Sequence, residues 1–226
     1  MKLYECKKCS KLANKGLLLE KDICDGDRCR KCGEIVKEKE YKQLEVDVIT
    51  ENIRQWAKDR KLIPNSTLEA QNLKIAEEFG ELADAFRRKN ERVIKDSIGD
   101  IYVVATIIAG LLNERTEELP TLQNTYYENK ENLKYSFMWL QSDIGDVAKA
   151  VIRDKQDKLL DSLGNIVNDL EAFCKYQKID FKECLNLSWY EIKDRKGYLR
   201  EDGVFVKESD LHTQEELAEL ERTGQL

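Results

Sequence analysis

The sequence predicts an all-α fold: tandem helical hairpins packed as an intrachain pseudo-dimer, with a small cysteine-rich ribbon before them and a β-hairpin after them. Three observations predict it. Charged residues fill 36% of the 226 positions and aromatics 8%, with 2 prolines and 11 glycines, a composition rich in strong helix formers. Apolar residues recur at helical spacing from about residue 44 onward. A 28-residue stretch also recurs later in the chain, which marks a duplicated helical unit.

Charge divides the chain. Residues 1–42 carry 12 Lys/Arg and 8 Asp/Glu, whereas the remainder carries 26 and 36. Two parts with different roles are expected. No run of about 18 apolar residues and no signal peptide is present, so the expectation is a soluble cytoplasmic protein with no membrane contact. His212 is the single histidine, which leaves no basis for Ser–His–Asp or Cys–His catalysis. Catalysis would rest on carboxylates, basic side chains and metal.

Residues 1–42 hold five of the seven cysteines: CKKC at 6–9, Cys24, and CRKC at 29–32 followed by Gly33. Two CxxC turns at this separation each aim a pair of thiolates at one ion, as in a zinc ribbon. Cys6, Cys9, Cys29 and Cys32 are the expected tetrathiolate Zn²⁺ site, closed and therefore structural. A segment this short has little core, so metal would supply much of its folding energy. A redox pair, or Cys24 in place of one ligand, are the alternatives. Lys7, Lys8, Lys11 and Lys15 leave a weakly basic surface that nucleic acid or a protein partner would use.

A first helical unit is expected over 45–113. VDVITENIRQWAKDRKL (46–62) stops before Pro64, and STLE (66–69) reads as a capping box with Ser66 at the cap. A helix then runs to about Lys89 and another begins near Glu91. NERTEELPT (113–121) is a linker. In the second unit, 121–196, residues 142–169 align without a gap on 77–104, with eight of 28 positions identical. Gly80/Gly145, Gly99/Gly164 and the paired alanines are expected to serve close helix packing. DFKE (180–183) starts the last long helix. Over 197–226, GYLREDGVFVK turns at Asp202-Gly203, and TQEE (213–216) opens a short tail helix.

Within EEFGEL, Ile75, Phe79, Leu82 and Phe86 define the buried stripe. At about 100° per residue, Glu78 lies roughly 70° and Glu81 roughly 130° from its centre, on the same side as Lys74; Glu77 lies opposite. The segment 101–112 is apolar nearly all round, with Asp100 at its edge and Asp96 one turn earlier. Buried carboxylates are costly alone, and acids facing one another across two helices would be neutralised by a hard cation, Mg²⁺ or Mn²⁺. Pairing with nearby Lys and Arg is the alternative.

EEFGEL followed by DSIGDIYVV resembles the MazG-like all-α nucleoside triphosphate pyrophosphohydrolases, whose motif is ExxE, a spacer, then ExxD. Glu78 and Glu81 match the first pair and Asp100 the closing Asp; Ser97 stands where the family has Glu, and Asp96 is the carboxylate nearest that position. WYEIKDRKGYLREDGVFVK (189–207) is similar to the C-terminal segment of phage MazG-like proteins and, more loosely, of dimeric dUTPases. The resemblance covers about 45–207. It implies Mg²⁺-dependent cleavage of an NTP or dNTP to the monophosphate and pyrophosphate, with Glu78, Glu81, Asp96 and Asp100 as metal ligands. Lys74, Lys193, Arg195 and Lys196 are candidates for the triphosphate; KDRK would otherwise be a solvated helix end. Trp56 and Tyr102 are candidates for a base pocket or are plain core. Copy two, with Asp143, Asp146 and Asn165 where copy one has Glu78, Glu81 and Asp100, is expected to be structural, or else a weak second metal site. A non-catalytic nucleotide- or partner-binding protein acting through its ribbon is the competing reading, and self-association stays open.

Overall fold

The computed structural model describes residues 37–113 and 134–208, the strands Lys2–Cys6, Lys11–Asn14, Cys24–Asp25 and Arg28–Cys29, and helical positions Ala218 and Arg222. The described part is mostly helical. Strands β1 (Lys2–Cys6), β2 (Lys11–Asn14) and β5 (Lys37–Glu40) form an antiparallel sheet in the order β2-β1-β5, while β3 (Cys24–Asp25) and β4 (Arg28–Cys29) pair separately. Cys6 ends β1 opposite Lys11, and Cys29 faces Cys24 across the β3–β4 ladder. Cys9 and Cys32 lie outside the described residues, as do the linker from residue 114 and the start of the tail helix at 213–216.

Helix α1 (Val46–Asp59) turns one apolar side, Ile49, Ile53 and Ala57, into the core. It ends three residues before the expected boundary because Lys61 takes a left-handed backbone (φ 59°) and a short helix, α2 (Leu62–Asn65), follows with Pro64 inside it. Helix α3 (Leu68–Arg88) is capped by Thr67, whose side chain accepts a hydrogen bond from Ala70 N at 3.0 Å. Ser66, expected to be that cap, is drawn elsewhere: its hydroxyl donates to the Gly203 carbonyl at 2.7 Å and accepts from Gln71 Nε2 at 2.9 Å. A long-range partner has displaced the local one.

Helices α3 and α4 (Glu91–Leu111) form one antiparallel hairpin; α5 (Ser136–Ile152) and α6 (Gln156–Gln177) form another packed against it. The two turns match. Lys89 and Asp154 are both left-handed, at φ 57° and 50°. Asn90 N donates to Ala85 O at 2.9 Å, as Lys155 N does to Ala150 O at 3.0 Å. These 65-residue equivalents are the helix-ending bonds of a left-handed C-terminal turn. Helix α7 (Phe181–Ile192), capped by Asp180, then lies along α4.

Of the glycines expected to serve close packing, Gly99 does so. A Cβ at Gly99 would overlap the Ser188 hydroxyl and stand 2.6 Å from the Cys184 carbonyl, so α4 and α7 touch there backbone to backbone. Gly80 and Gly145, expected to do the same, have nothing within 4 Å and lie on exposed helix faces. The C-terminal hairpin, β6 (Gly197–Leu199) and β7 (Phe205–Lys207), turns through residues 200–204 with Gly203 at φ 84°. Among the described residues no helix is long and apolar enough to cross a membrane.

Candidate functional site

The apolar stripe of α3 drives Ile75 and Leu82 fully inside, and that rotation carries Glu78 with them: the residue is 5% exposed. Its Oε1 is held by Lys74 Nζ at 2.6 Å, one turn back on the same helix, while Lys74 also reaches Glu77 at 3.0 Å. Burial pulls the Lys74 ammonium toward neutrality, but Glu78 and Glu77 outweigh it and hold its pKa above the usual lysine range. Glu77 is exposed, as its position opposite the stripe predicts.

Asp100 comes from α4, partly buried where that helix becomes apolar on all sides. Burial first, and then the negative charges of Asp96 and Glu78, push its carboxyl up to about 8, against the opposing pull of Arg195 and Lys74. At neutral pH it is therefore largely protonated. Glu81 is also raised, by burial and by Glu78, though its side chain is exposed. Burial, and then neighbours of their own sign, disfavour the charged form of both acids, which a bound cation would relieve.

Glu78 and Asp100 line one cavity of about 100 Å³. Its basic walls are Lys74, Arg195 and Lys207, and its apolar walls include Trp56, Val103, Ile107 and Phe205. Trp56 meets Phe205 edge-on at 6.0 Å between ring centres and carries the Arg60 guanidinium 4.9 Å above it. The buried Trp56 Nε1 has no hydrogen-bond partner among the described residues. Arg60 in turn donates to the Arg195 carbonyl at 2.6 Å, fixing the chain that brings Arg195 inward.

The expected site residues divide accordingly. Glu78, Asp100, Lys74, Arg195 and Trp56 converge on the cavity. Glu81 lies outside it, in a shallower groove of α3 and α4 shared with Asp84 and Arg88. Asp96 lines neither, though its charge acts on Asp100. Lys193 pairs with Asp194 at 2.8 Å, and Lys196 is exposed; neither lines the cavity. Tyr102 is buried in the α1–α4 interface, its hydroxyl 2.7 Å from Thr50 Oγ1 and its ring against Phe181, and does not line the cavity. Among the described residues no three acidic, histidine or cysteine side chains converge closely enough, as placed, to hold an ion. Phe205, Lys207 and Arg60 were not legible as site residues. They arrive through the hairpin and the α1 end, and only the alternation of GVFVK (203–207) hints that one face is turned inward.

In the second hairpin the equivalent positions face each other too. Asn165 Nδ2 donates to Asp143 Oδ1 at 3.2 Å, where Asp100 faces Glu78 in the first. Burial raises the Asp143 carboxyl, while hydrogen bonds from Asp169 and Asn165 pull it down. An amide here bonds the acid directly and leaves less demand for a cation.

No known family model matches the chain, and no solved structure does. The chain is 49% identical over 61 residues to a protein of Haemophilus phage HP1, described as an uncharacterized 18.2 kDa protein in the rep-hol intergenic region. That match takes in 27% of this chain and spans 37% of the phage protein's length.

Proposed function

We propose that this protein is a Mg²⁺- or Mn²⁺-dependent nucleoside triphosphate pyrophosphohydrolase of the MazG-like kind, built on a duplicated hairpin whose first copy carries the site. The observation that carries the reading is the facing of Glu78 and Asp100 within a cavity also walled by Lys74, Arg195 and Lys207. Two acids whose charges oppose one another, ringed by cations, are the donor set for a divalent ion bridged to a polyphosphate.

Glu78 and Asp100 would hold the ion, with the charge of Asp96 acting on Asp100 and Glu81 outside the cavity. When bound, the ion neutralises phosphate charge and lowers the pKa of a water aimed at the α-phosphorus. The remaining work falls to the chain. Lys74 leaves Glu78 for a phosphate oxygen, Arg195 and Lys207 bind the phosphates by charge-assisted hydrogen bonds, and Trp56 and Phe205 offer an apolar wall to the base, with Trp56 Nε1 free to donate. At about 100 Å³ the cavity is smaller than the roughly 300–1,000 Å³ usual for ligand pockets. Substrate entry would need this cavity to widen. The N-terminal segment, as a Zn²⁺ ribbon, would deliver a partner or substrate.

The test is pyrophosphate release from a nucleotide panel with Mg²⁺. Glu78→Gln is expected to lower kcat by about 100-fold or more, with the fold intact by circular dichroism. No release from any nucleotide would favour a non-catalytic nucleotide- or partner-binding protein. One observation supports that second reading: Ser97, where the family motif has Glu, is 1% exposed and its hydroxyl has no partner among the described residues.

A further inference from the structure

The two hairpins carry the same groove at their turn ends, and the second has changed sign. Six lining positions correspond at an offset of 65 residues. In the first hairpin they are Glu81, Asp84, Ala85, Arg88, Asn90 and Val93. In the second they are Asp146, Lys149, Ala150, Arg153, Lys155 and Lys158. Three non-basic residues have become lysines, so the formal charge of the six moves from −1 to +3. The second groove, about 540 Å³, is also the larger; the first is about 420 Å³.

With Asp143 and Asp161, which also line it, the whole second groove carries +1, against −2 for the first with Glu77. Lys149 is paired with Asp146, and Lys158 with Asp161 at 3.1 Å. Asp143, on the groove floor, is hydrogen-bonded by Asn165 and Asp169. Arg153 and Lys155 make no ion pair among the described residues, although an acid, Asp154, separates them in sequence. The backbone adds to the effect. Asn90 caps α4 by accepting from Val93 N, whereas Lys155 caps α6 with no side-chain acceptor. The first amides of a 22-residue helix are therefore left for another acceptor at the same mouth.

We propose that this groove of the second hairpin binds a small polyphosphate anion, with Arg153 and Lys155 as its principal ligands. Arg153 offers a planar fork to phosphate oxygens and Lys155 a point charge at the helix start. A bounded groove in a chain of net charge −6 suits a short phosphate chain and disfavours an extended nucleic-acid backbone. The duplicated half would thus be a second anion site and more than structural filling. This inference stands apart from the chemistry of the first hairpin.

The test is calorimetric titration of the full chain with tripolyphosphate and, separately, a nucleoside triphosphate, in chelator without divalent metal. Binding is expected to weaken at least about tenfold in Arg153→Glu/Lys155→Glu, and less in Lys155→Asn, which restores the first-hairpin residue. Arg88→Glu should leave it unchanged. Equal affinity for the two ligands assigns the bare phosphate chain; tighter nucleoside triphosphate assigns a nucleotide. Binding that falls with Arg195→Ala and is untouched by Arg153→Glu/Lys155→Glu overturns this inference while sparing the catalytic reading. Binding of an oligonucleotide with none of tripolyphosphate also overturns it.

Discussion

Replacing Asp100 with Asn removes one ionisable group from a place where ionisation is opposed by burial and by Asp96 and Glu78. The folded chain holds that proton up to about pH 8, whereas an unfolded aspartate releases it near 3.8. Between those values the native state binds more protons, so stability is full below the lower one, declines as pH rises, and levels off above the upper one. A displacement of about four pH units is worth at most about 6 kcal/mol. Asp100 is only partly buried by accessible surface, and water at one carboxylate edge would screen part of this, so about 3 kcal/mol is the working figure. For a chain of this size that is roughly 9 °C in Tm. Thermal melts in chelator from pH 5 to pH 9 should show the wild type losing a large part of this amount relative to Asp100→Asn. Added Mg²⁺ at pH 8.5 should return it to the wild type alone. Parallel curves for the two proteins would refute the placement of Asp100 between like charges.

Other perturbations read other parts of the structure. Gly99→Ala should cost about 2 kcal/mol in urea unfolding, because its new methyl meets Ser188 and the Cys184 carbonyl; an unchanged midpoint would mean α4 and α7 lie further apart. Ser66→Ala leaves the Gly203 carbonyl unpaired, at about 1–2 kcal/mol, and should speed tryptic cleavage at the exposed Arg200 of the hairpin loop. Metal analysis should find one Zn²⁺ per chain, lost in Cys6→Ser or Cys29→Ser with little change in helical signal. Full zinc in a variant with Cys6, Cys9, Cys29 and Cys32 all changed to Ser would remove the ribbon assignment.

Element type was legible where a one-dimensional period governs it. The 3.6-residue recurrence placed α3 and α4 within a residue or two of Leu68–Arg88 and Glu91–Leu111, and Asp180 and Gly203 supplied the cap and turn their chemistry allows. Ser66 shows where this stops. Its local signature is that of a cap, yet a hydrogen bond to Gly203, 137 residues away, took its hydroxyl and Thr67 filled the vacancy. Tyr102 makes the same point: an aromatic at the start of an apolar helix reads equally as wall or core, and only the Thr50 hydroxyl across the α1–α4 interface decides for core.

The sequence by itself determined the helices, their hairpin turns, the 65-residue recurrence and the acids on one flank of α3, because each follows from side-chain spacing along a regular backbone. Only the tertiary structure decided that Glu78 enters the cavity while Glu81, three residues on, lines a separate groove. The reason is geometric. Three residues turn a helix by about 300°, enough to separate buried from exposed once neighbouring helices fix where the interior lies. Tertiary packing likewise brought Arg195, Phe205 and Lys207 to that cavity from the far end of the chain, a convergence no local pattern encodes.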